Sequence, residues 1–206
     1  MYNRLVIIGA GGHGKVIADI ALKNGYTDIV FADDNATGLC MGFPIVCTFA
    51  ELDRLNDGKT DFVIAVGNNK IRQSIAEKYA LNWVTLVHPS AQIGTNVAIG
   101  RGTVVMAGAV INPCTTLGTH CIINTCASVD HDCEIDDYVH VSPGAHIAGT
   151  VTVGKRTWIG AGAIVSNNIS ITDDCVIGAG AVSIKNIVEA GTYVGIPSHK
   201  IQRSAE

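Results

Sequence analysis

The sequence predicts two unlike parts in one chain: an α/β domain with a parallel sheet, followed by an all-β solenoid, a parallel β-helix. Three observations carry this. Apolar strand-like runs alternate with helical patterns as far as His88. From Ile93 onward an aliphatic residue recurs every six positions. The 206-residue chain also holds 23 glycines but only 5% aromatics, which suits many tight turns around a core of small and aliphatic side chains.

In the first part, residues 1–88, Leu5 to Ile8 is a buried strand. Gly14 to Asn24 follows with Val16, Ile17, Ile20 and Ala21 at helical spacing, ended by Gly25. Ile29 to Ala32 is a second strand, closed by Asp33-Asp34. Thr48-Phe49-Ala50-Glu51 has the form of a capping box and starts a short helix. Phe62 to Val66 is expected as a third central strand. Ile71, Ile75 and Tyr79 mark a second helix, and Val84 to Val87 completes the domain. Continuous apolar strands alternating with helices imply a parallel sheet covered on both faces.

The second part, residues 89–206, repeats with a period of six. Ile93, Ile99, Val105, Ile111, Leu117, Ile123, Val129, Ile135, Val141, Ile147, Val153, Ile159, Val165, Ile171 and Ile177 are all aliphatic, and fourteen of the fifteen are β-branched. A period this regular is the signature of a solenoid. Each hexapeptide supplies a short strand and a corner, and three of them make an 18-residue coil. Coils stack about 4.8 Å apart. Small residues such as Ala109, Cys121, Ala127 and Cys133 stand two positions before the aliphatic one, facing inward. Gly94, Gly100, Gly118, Asn124 and Gly154 stand just after it, where turn residues with unusual backbone angles are expected. The period breaks at Ser183, and the tail from Lys185 is expected to be a different element, a cap.

Composition narrows the function. Net charge is −4 with no basic tail, against a nucleic-acid partner. No run of 18 apolar residues exists, and Met1-Tyr2-Asn3-Arg4 opens directly into a strand-like run, so neither a leader nor a membrane span is expected. Seven cysteines, an odd number without a CxxC pair, fit reduced thiols in a cytoplasmic protein. Those at the inward repeat position, Cys121, Cys133 and Cys175, are core residues rather than nucleophiles.

Two regions carry chemistry. Gly9-x-Gly11-x-x-Gly14 follows a strand and opens a helix, the context in which backbone amides and a helix N-terminus hold a phosphate. Asp33-Asp34 ends the next strand, where an acid accepts hydrogen bonds from ribose hydroxyls. These residues admit a dinucleotide, another nucleotide or a structural loop; the domain has half the length of a full dinucleotide fold. Gly67-Asn68-Asn69 lies at the ligand-binding edge of the sheet, as a substrate contact or as a turn with an Asn N-cap. Among His120, His131, His140 and His146 in the repeat, none has zinc-ligand spacing, so no metal is expected. His131 stands out: two residues past Val129 it projects outward near a corner, and Asp132 can support the ring if it folds back.

The hexapeptide pattern resembles the left-handed β-helix acyltransferases, which are typically homotrimers using acetyl-CoA. Ile8-Gly9-Ala10-Gly11-Gly12-His13-Gly14, Asp33-Asp34, Val66-Gly67-Asn68-Asn69 and Val129-Asp130-His131-Asp132-Cys133-Glu134-Ile135 together resemble one subfamily. It holds the sialic acid O-acetyltransferases and the UDP-4-amino-sugar N-acetyltransferases of bacterial glycan synthesis. The resemblance implies a small Rossmann-like domain, holding the UDP end of the substrate through Gly11, Gly12, His13, Asp33, Asp34 and Gly67, followed by a left-handed β-helix. It implies His131 as general base and Asp132 as its partner. His140, Gly149, Ala161 and Ala179 match acetyl-CoA positions, with the Gly149 amide on the acetyl oxygen. The tail Tyr193-Val194-Gly195-Ile196-Pro197 resembles the end of hexapeptide transferases, but Ser198-His199 departs from the usual Ala-Lys. The expected reaction is direct N-acetylation of a UDP-amino-sugar by a homotrimer. Sialic acid O-acetylation is the alternative, and a non-enzymatic nucleotide-sugar sensor a remote one.

Overall fold

The computed structural model describes residues 4–201, so the expectation placed on Met1-Tyr2-Asn3 falls outside the described residues. The chain divides into two compact units between Pro89 and Ser90, and each is described by itself.

The first unit runs β1 (Leu5–Ile8), α1 (Gly12–Lys23), β2 (Ile29–Ala32), β3 (Leu39–Cys40), β4 (Phe43–Cys47), a 3-10 helix (Phe49–Leu55), β5 (Asp61–Ile64), α2 (Asn69–Lys78) and β6 (Leu86–Val87). The sheet order is β3-β4-β2-β1-β5, parallel except for β3. β1 is therefore an interior strand, between β2 and β5. The strand expected at Phe62–Val66 is shorter and lies beside β1 at the end of the order. The β3–β4 hairpin was hidden from sequence by Pro44 within its second strand. It turns at Met41-Gly42, both with positive φ (51° and 84°), the geometry of a two-residue hairpin turn.

Alternate strand residues face opposite sides. Val6, Ile8, Val30, Ala32, Phe62 and Ile64 pack with Ile75 and Tyr79 on the α2 side. Gly14 of α1 packs against Phe31 on the other side. α1 begins at Gly12, two residues earlier than its apolar spacing indicates, and Gly25 (φ 93°) closes it through bonds from Gly25 N to Leu22 O and Tyr26 N to Ala21 O. The Glu51 carboxylate accepts from the Thr48 amide, as the capping pattern requires, and also from the Thr48 hydroxyl. One α2 expectation is corrected. Ile71 is half exposed, and the inward face of the helix is Arg72, Ile75 and the following Tyr79. Spacing by four drifts around a 3.6-residue helix, and the true inward position holds an arginine.

The second unit is a triangular parallel β-helix. Its first face stacks the strands Gln92–Ile93, Val110–Ile111, Ser128–Val129, His146–Ile147, Ile164–Val165 and Val182–Ser183. The second stacks Ala98–Ile99, Thr116–Leu117, Glu134–Ile135, Thr152–Val153 and Ser170–Ile171. The third contains Val104–Val105, Ile122–Ile123, His140–Val141, Trp158–Ile159 and Cys175–Ile177. Every pairing advances 18 residues. The aliphatic residues from Val105 to Ile177 are all buried.

Two expectations change. The solenoid does not stop where its hydrophobic signal does: Val182–Ser183 extends the first face, with Ser183 fully buried and bonded to Ser198. Ile187 bridges Ile171, and Gly191–Val194 pairs with Cys175–Ile177 at a shorter spacing of 16 residues. His199–Ile201 then runs antiparallel along that edge and caps it. Second, the residue with a left-handed backbone is not the glycine after the aliphatic position. It lies two positions after that glycine, three after the aliphatic residue, at Asn96, Gly102, Gly108, Cys114, His120, Cys126, Asp132 and onward to Gly180, and most of these are not glycine. The glycines at 94, 100, 118 and 154 serve close coil stacking instead. A methyl carbon at Gly118 would sit 2.6 Å from the backbone nitrogen of Asp137 in the next coil.

That distinction predicts an asymmetry. Gly144 has φ 62° with open space around it, so Gly144→Ala should cost only the left-handed penalty of about 1–2 kcal/mol. Gly118→Ala must displace backbone and should cost more. Denaturant unfolding of the two variants checks the order.

Candidate active site

Three parts of the two units carry chemistry, and each arises from local structure. The first is the carboxyl edge of the sheet. The loops after β1 and β5 lead to helices on opposite faces, which opens a crevice between them. A methyl at Gly9 would press on the Ala65 carbonyl oxygen at 2.8 Å, and one at Gly14 would overlap the Gly9 carbonyl, so these two glycines fix the tight turn. Gly11, Gly12 and Gly67 face open space instead. The N-terminus of α1 has no side-chain cap and no acid in its first turn, so its free amides are available to an anion. α2 differs, because Asn68 Oδ1 caps it by accepting from the Lys70 and Ile71 amides. Asn68 is thus an N-cap, and Gly67 precedes it with its space open.

Asp33 braces the loop: its carboxylate accepts from the amides of Ala10 (2.7 Å), Asn35 and Ala36. Desolvation raises its pKa, but these three bonds outweigh it and hold the carboxyl below its ordinary value. Asp34 Oδ1 accepts from the Phe49 amide, while Oδ2 accepts nothing from the described residues. His13 Nε2 is shielded from solvent and lacks a hydrogen-bond partner. Burial first, and the charge of Arg72 second, push its pKa down to about 4, so the ring is neutral at physiological pH.

The second part is the corner between the first and second faces of the β-helix. Asp132 has φ 56°, and this left-handed turn folds its carboxylate back onto its neighbour: Asp132 Oδ2 lies 2.7 Å from His131 Nδ1. Asp130 Oδ1 accepts from the His131 amide and from Asn112 one coil earlier. The Asp132 bond and the Asp130 charge raise the His131 pKa above its ordinary value. Nδ1 is bound to Asp132, which leaves Nε2 as the exposed basic position. Gly149 stacks one coil beyond, and a methyl there would lie 2.7 Å from His131 Cε1 and Nε2. Its glycine identity therefore makes room for the imidazole.

The third part is a groove of about 360 Å³ along the third face and its corner with the first, lined by His140, Pro143, Trp158, Ala161, Val176 and Ala179 among others. Sequence reasoning named His140, Ala161 and Ala179, and the fold brings these three together; Gly149 belongs to the His131 corner instead. Trp158 and His140 stack with ring centres 6.0 Å apart, and Trp158 Nε1 donates to Ser142. Asn124 Oδ1 accepts from Thr125 N, which turns Nδ2 toward His140 Nε2 at 3.1 Å. Sequence reasoning missed Asn124, Trp158, Asn112 and Arg72. Trp158, one of two tryptophans, occupies an outward repeat position where a large apolar residue has no core to fill, and that was its legible signal. Among the described residues no group of three or more His, Cys, Asp or Glu is placed to hold a metal ion.

Comparison with known proteins gives the family. The family described as PglD N-terminal domain matches residues 4–79. The acetyltransferase domain of PglB from Neisseria gonorrhoeae, solved in complex with acetyl coenzyme A, superposes with a TM-score of 0.94 at 40% identity, covering 98% of this chain and all of that one. A GDP-perosamine N-acetyltransferase of Escherichia coli O157:H7 is 31% identical over 172 residues, 78% of this chain and 76% of its own length. The chain belongs to the hexapeptide-repeat sugar acetyltransferases. It is an acetyltransferase with the left-handed β-helix fold of that family. A UDP-N-acetylbacillosamine N-acetyltransferase of Bacillus subtilis is also similar, 39% identical over 113 residues, about half of each chain. No helix among the described residues is long and apolar enough to cross a membrane.

In this acetyltransferase His131 should titrate above the ordinary histidine range by NMR. Asp132→Asn removes the leading cause, so the pKa should fall. Gly149→Ala should displace the ring, visible as changed His131 shifts with the fold intact.

Proposed function

We propose that this protein transfers the acetyl group of acetyl-CoA to the amine of a nucleotide-linked 4-amino-dideoxy sugar, a UDP sugar in our reading, in bacterial glycan synthesis. Support comes from relatives that acetylate UDP- and GDP-linked amino sugars and from one relative holding acetyl coenzyme A. The single observation that carries the reading is the His131–Asp132 pair: an exposed imidazole made more basic by a carboxylate on its far nitrogen, with a free basic nitrogen facing outward.

The mechanism follows from that corner. The sugar amine attacks the thioester carbon as His131 Nε2 takes its proton. The Asp132 carboxylate stabilises the imidazolium, and the Gly149 amide receives the tetrahedral oxyanion. Collapse expels CoA thiolate, which the imidazolium reprotonates. Asp132 and Asp130 hold the proton on His131 until pH exceeds its raised pKa, so the rate should rise through that pH. The apolar groove at His140, Trp158, Ala161 and Ala179 receives the pantetheine arm. The Gly11–His13 loop, Asp33, Asp34 and Gly67 receive the nucleotide, with the open Oδ2 of Asp34 directed to ribose.

The same geometry supports a reading of the assembly. In one chain the His131 corner and the groove lie at opposite edges of the first face. A base at one edge meets a thioester at the other only when a second chain packs against that face, and closed three-fold packing supplies such a partner. We therefore propose a homotrimer. We place the reaction in the cytoplasm, in keeping with seven unpaired cysteines.

Thiol release with a panel of UDP- and GDP-linked amino sugars and free sialic acids tests the substrate class. UDP-amino-sugars should turn over. Turnover of only GDP-linked sugars would overturn the uridine reading, and turnover of only sialic acid the amine reading. His131→Ala should lower kcat by about 10²–10⁴ while leaving acetyl-CoA affinity unchanged. Light scattering should give three times 21.5 kDa.

A further inference from the structure

Arg72 is the largest fully buried side chain among the described residues, 1% exposed, on the inward face of a helix whose remaining inward residues are apolar. Burying a guanidinium is costly unless its donors are satisfied. Its partners show what it organises. Nη1 donates to the carbonyl oxygens of Val66 (3.0 Å) and Gly67 (3.2 Å), and Nη2 to Asn69 Oδ1 (2.8 Å). Two of these acceptors lie in the turn between β5 and α2 and the third, Asn69, is the first residue of α2; this segment walls the crevice opposite the Gly11–His13 loop. The same charge reaches His13 inside that loop.

Carbonyl oxygens at the rim of a phosphate site would repel the phosphate. We propose that Arg72 is a positioning residue for nucleotide binding: its planar fork draws the Val66 and Gly67 carbonyls and the Asn69 side-chain oxygen inward, leaving the open side of Gly67 to the diphosphate. This rests on the nucleotide reading of the crevice given above. Arginine suits the task because two donor nitrogens fixed in one plane can hold three oxygens of a turn at once; a lysine carries the charge without the fork. Charge adds a second effect. A fixed cation behind the loop favours an anion in front of it and adds to burial, the larger cause, in keeping His13 neutral, so the loop presents amides and a neutral ring rather than a charge that varies with pH.

The test uses the whole protein and three variants, Arg72→Met, Arg72→Lys and Asn69→Ala, with UDP and GDP as probes in calorimetric titrations and the nucleotide sugar in kinetics. Arg72→Met should raise the nucleotide Kd and the nucleotide-sugar KM at least tenfold. Its kcat at saturation and its acetyl-CoA Kd should stay within about threefold of wild type. Arg72→Lys should recover only part of the affinity. Asn69→Ala, which removes one acceptor and leaves the arginine in place, should raise KM two- to fivefold, and it carries the test if neither Arg72 variant folds. A merely structural arginine would lower the melting temperature or the active fraction without changing KM. Wild-type nucleotide affinity in Arg72→Met, or wild-type KM in Asn69→Ala, overturns the proposal. If wild type binds neither UDP nor GDP, the nucleotide reading of the crevice has failed instead.

Discussion

The constraint on which the catalytic unit depends is the 18-residue coil. Each backbone ladder bond joins residues one coil apart, so side chains 18 apart lie in contact columns whatever their chemistry. His131 above Gly149, Trp158 beneath His140 and Asn112 beside Asp130 are three products of that register. Inserting one residue between any two would rotate every later side chain around the prism. A solenoid thereby fixes functional geometry through backbone pairing, with little help from an aromatic core. The aliphatic column inside and the functional columns outside are two readings of one period.

Histidine serves here in two opposite electrostatic settings. His131 stands in solvent between two carboxylates, which favour its proton. His13 lies inside a loop near a buried arginine, and burial together with that charge removes its proton. In the proposed reaction His131 must hold a proton during turnover, whereas the loop proposed to receive the nucleotide benefits from donors whose state is constant with pH. The left-handed turn at Asp132 makes the first setting possible, because it bends the carboxylate back onto the residue before it.

The period of six made the β-helix legible, and the Gly9-x-Gly11-x-x-Gly14 spacing placed the tight turn that opens α1. His131 and Asp132 were legible because an adjacent pair needs no knowledge of distant contacts. Other features were hidden for physical reasons. The β3–β4 hairpin contains a proline, and Ile71 imitates the inward face that Arg72 occupies. Ser183 ends the hydrophobic signal while its backbone continues the ladder. Asn112 and Asn124 depend on partners 18 and 16 residues away, so only the coil reveals them. The glycines after the aliphatic positions were recognised as special for the wrong reason: they admit the next coil, while the left-handed positions tolerate Cys, His, Tyr and Arg.

In the proposed homotrimer one chain's His131 works on a thioester held in another chain's groove. Co-expressing two inactive variants tests it most directly: His131→Ala, lacking the base, and Ala161→Trp, with its groove filled. Random mixing in a closed ring would pair an intact base with an intact groove at about a quarter of the sites. With a shared site the mixed oligomer regains activity near that fraction, while each variant alone stays inactive. Mixed oligomers no more active than the two parents would contradict it.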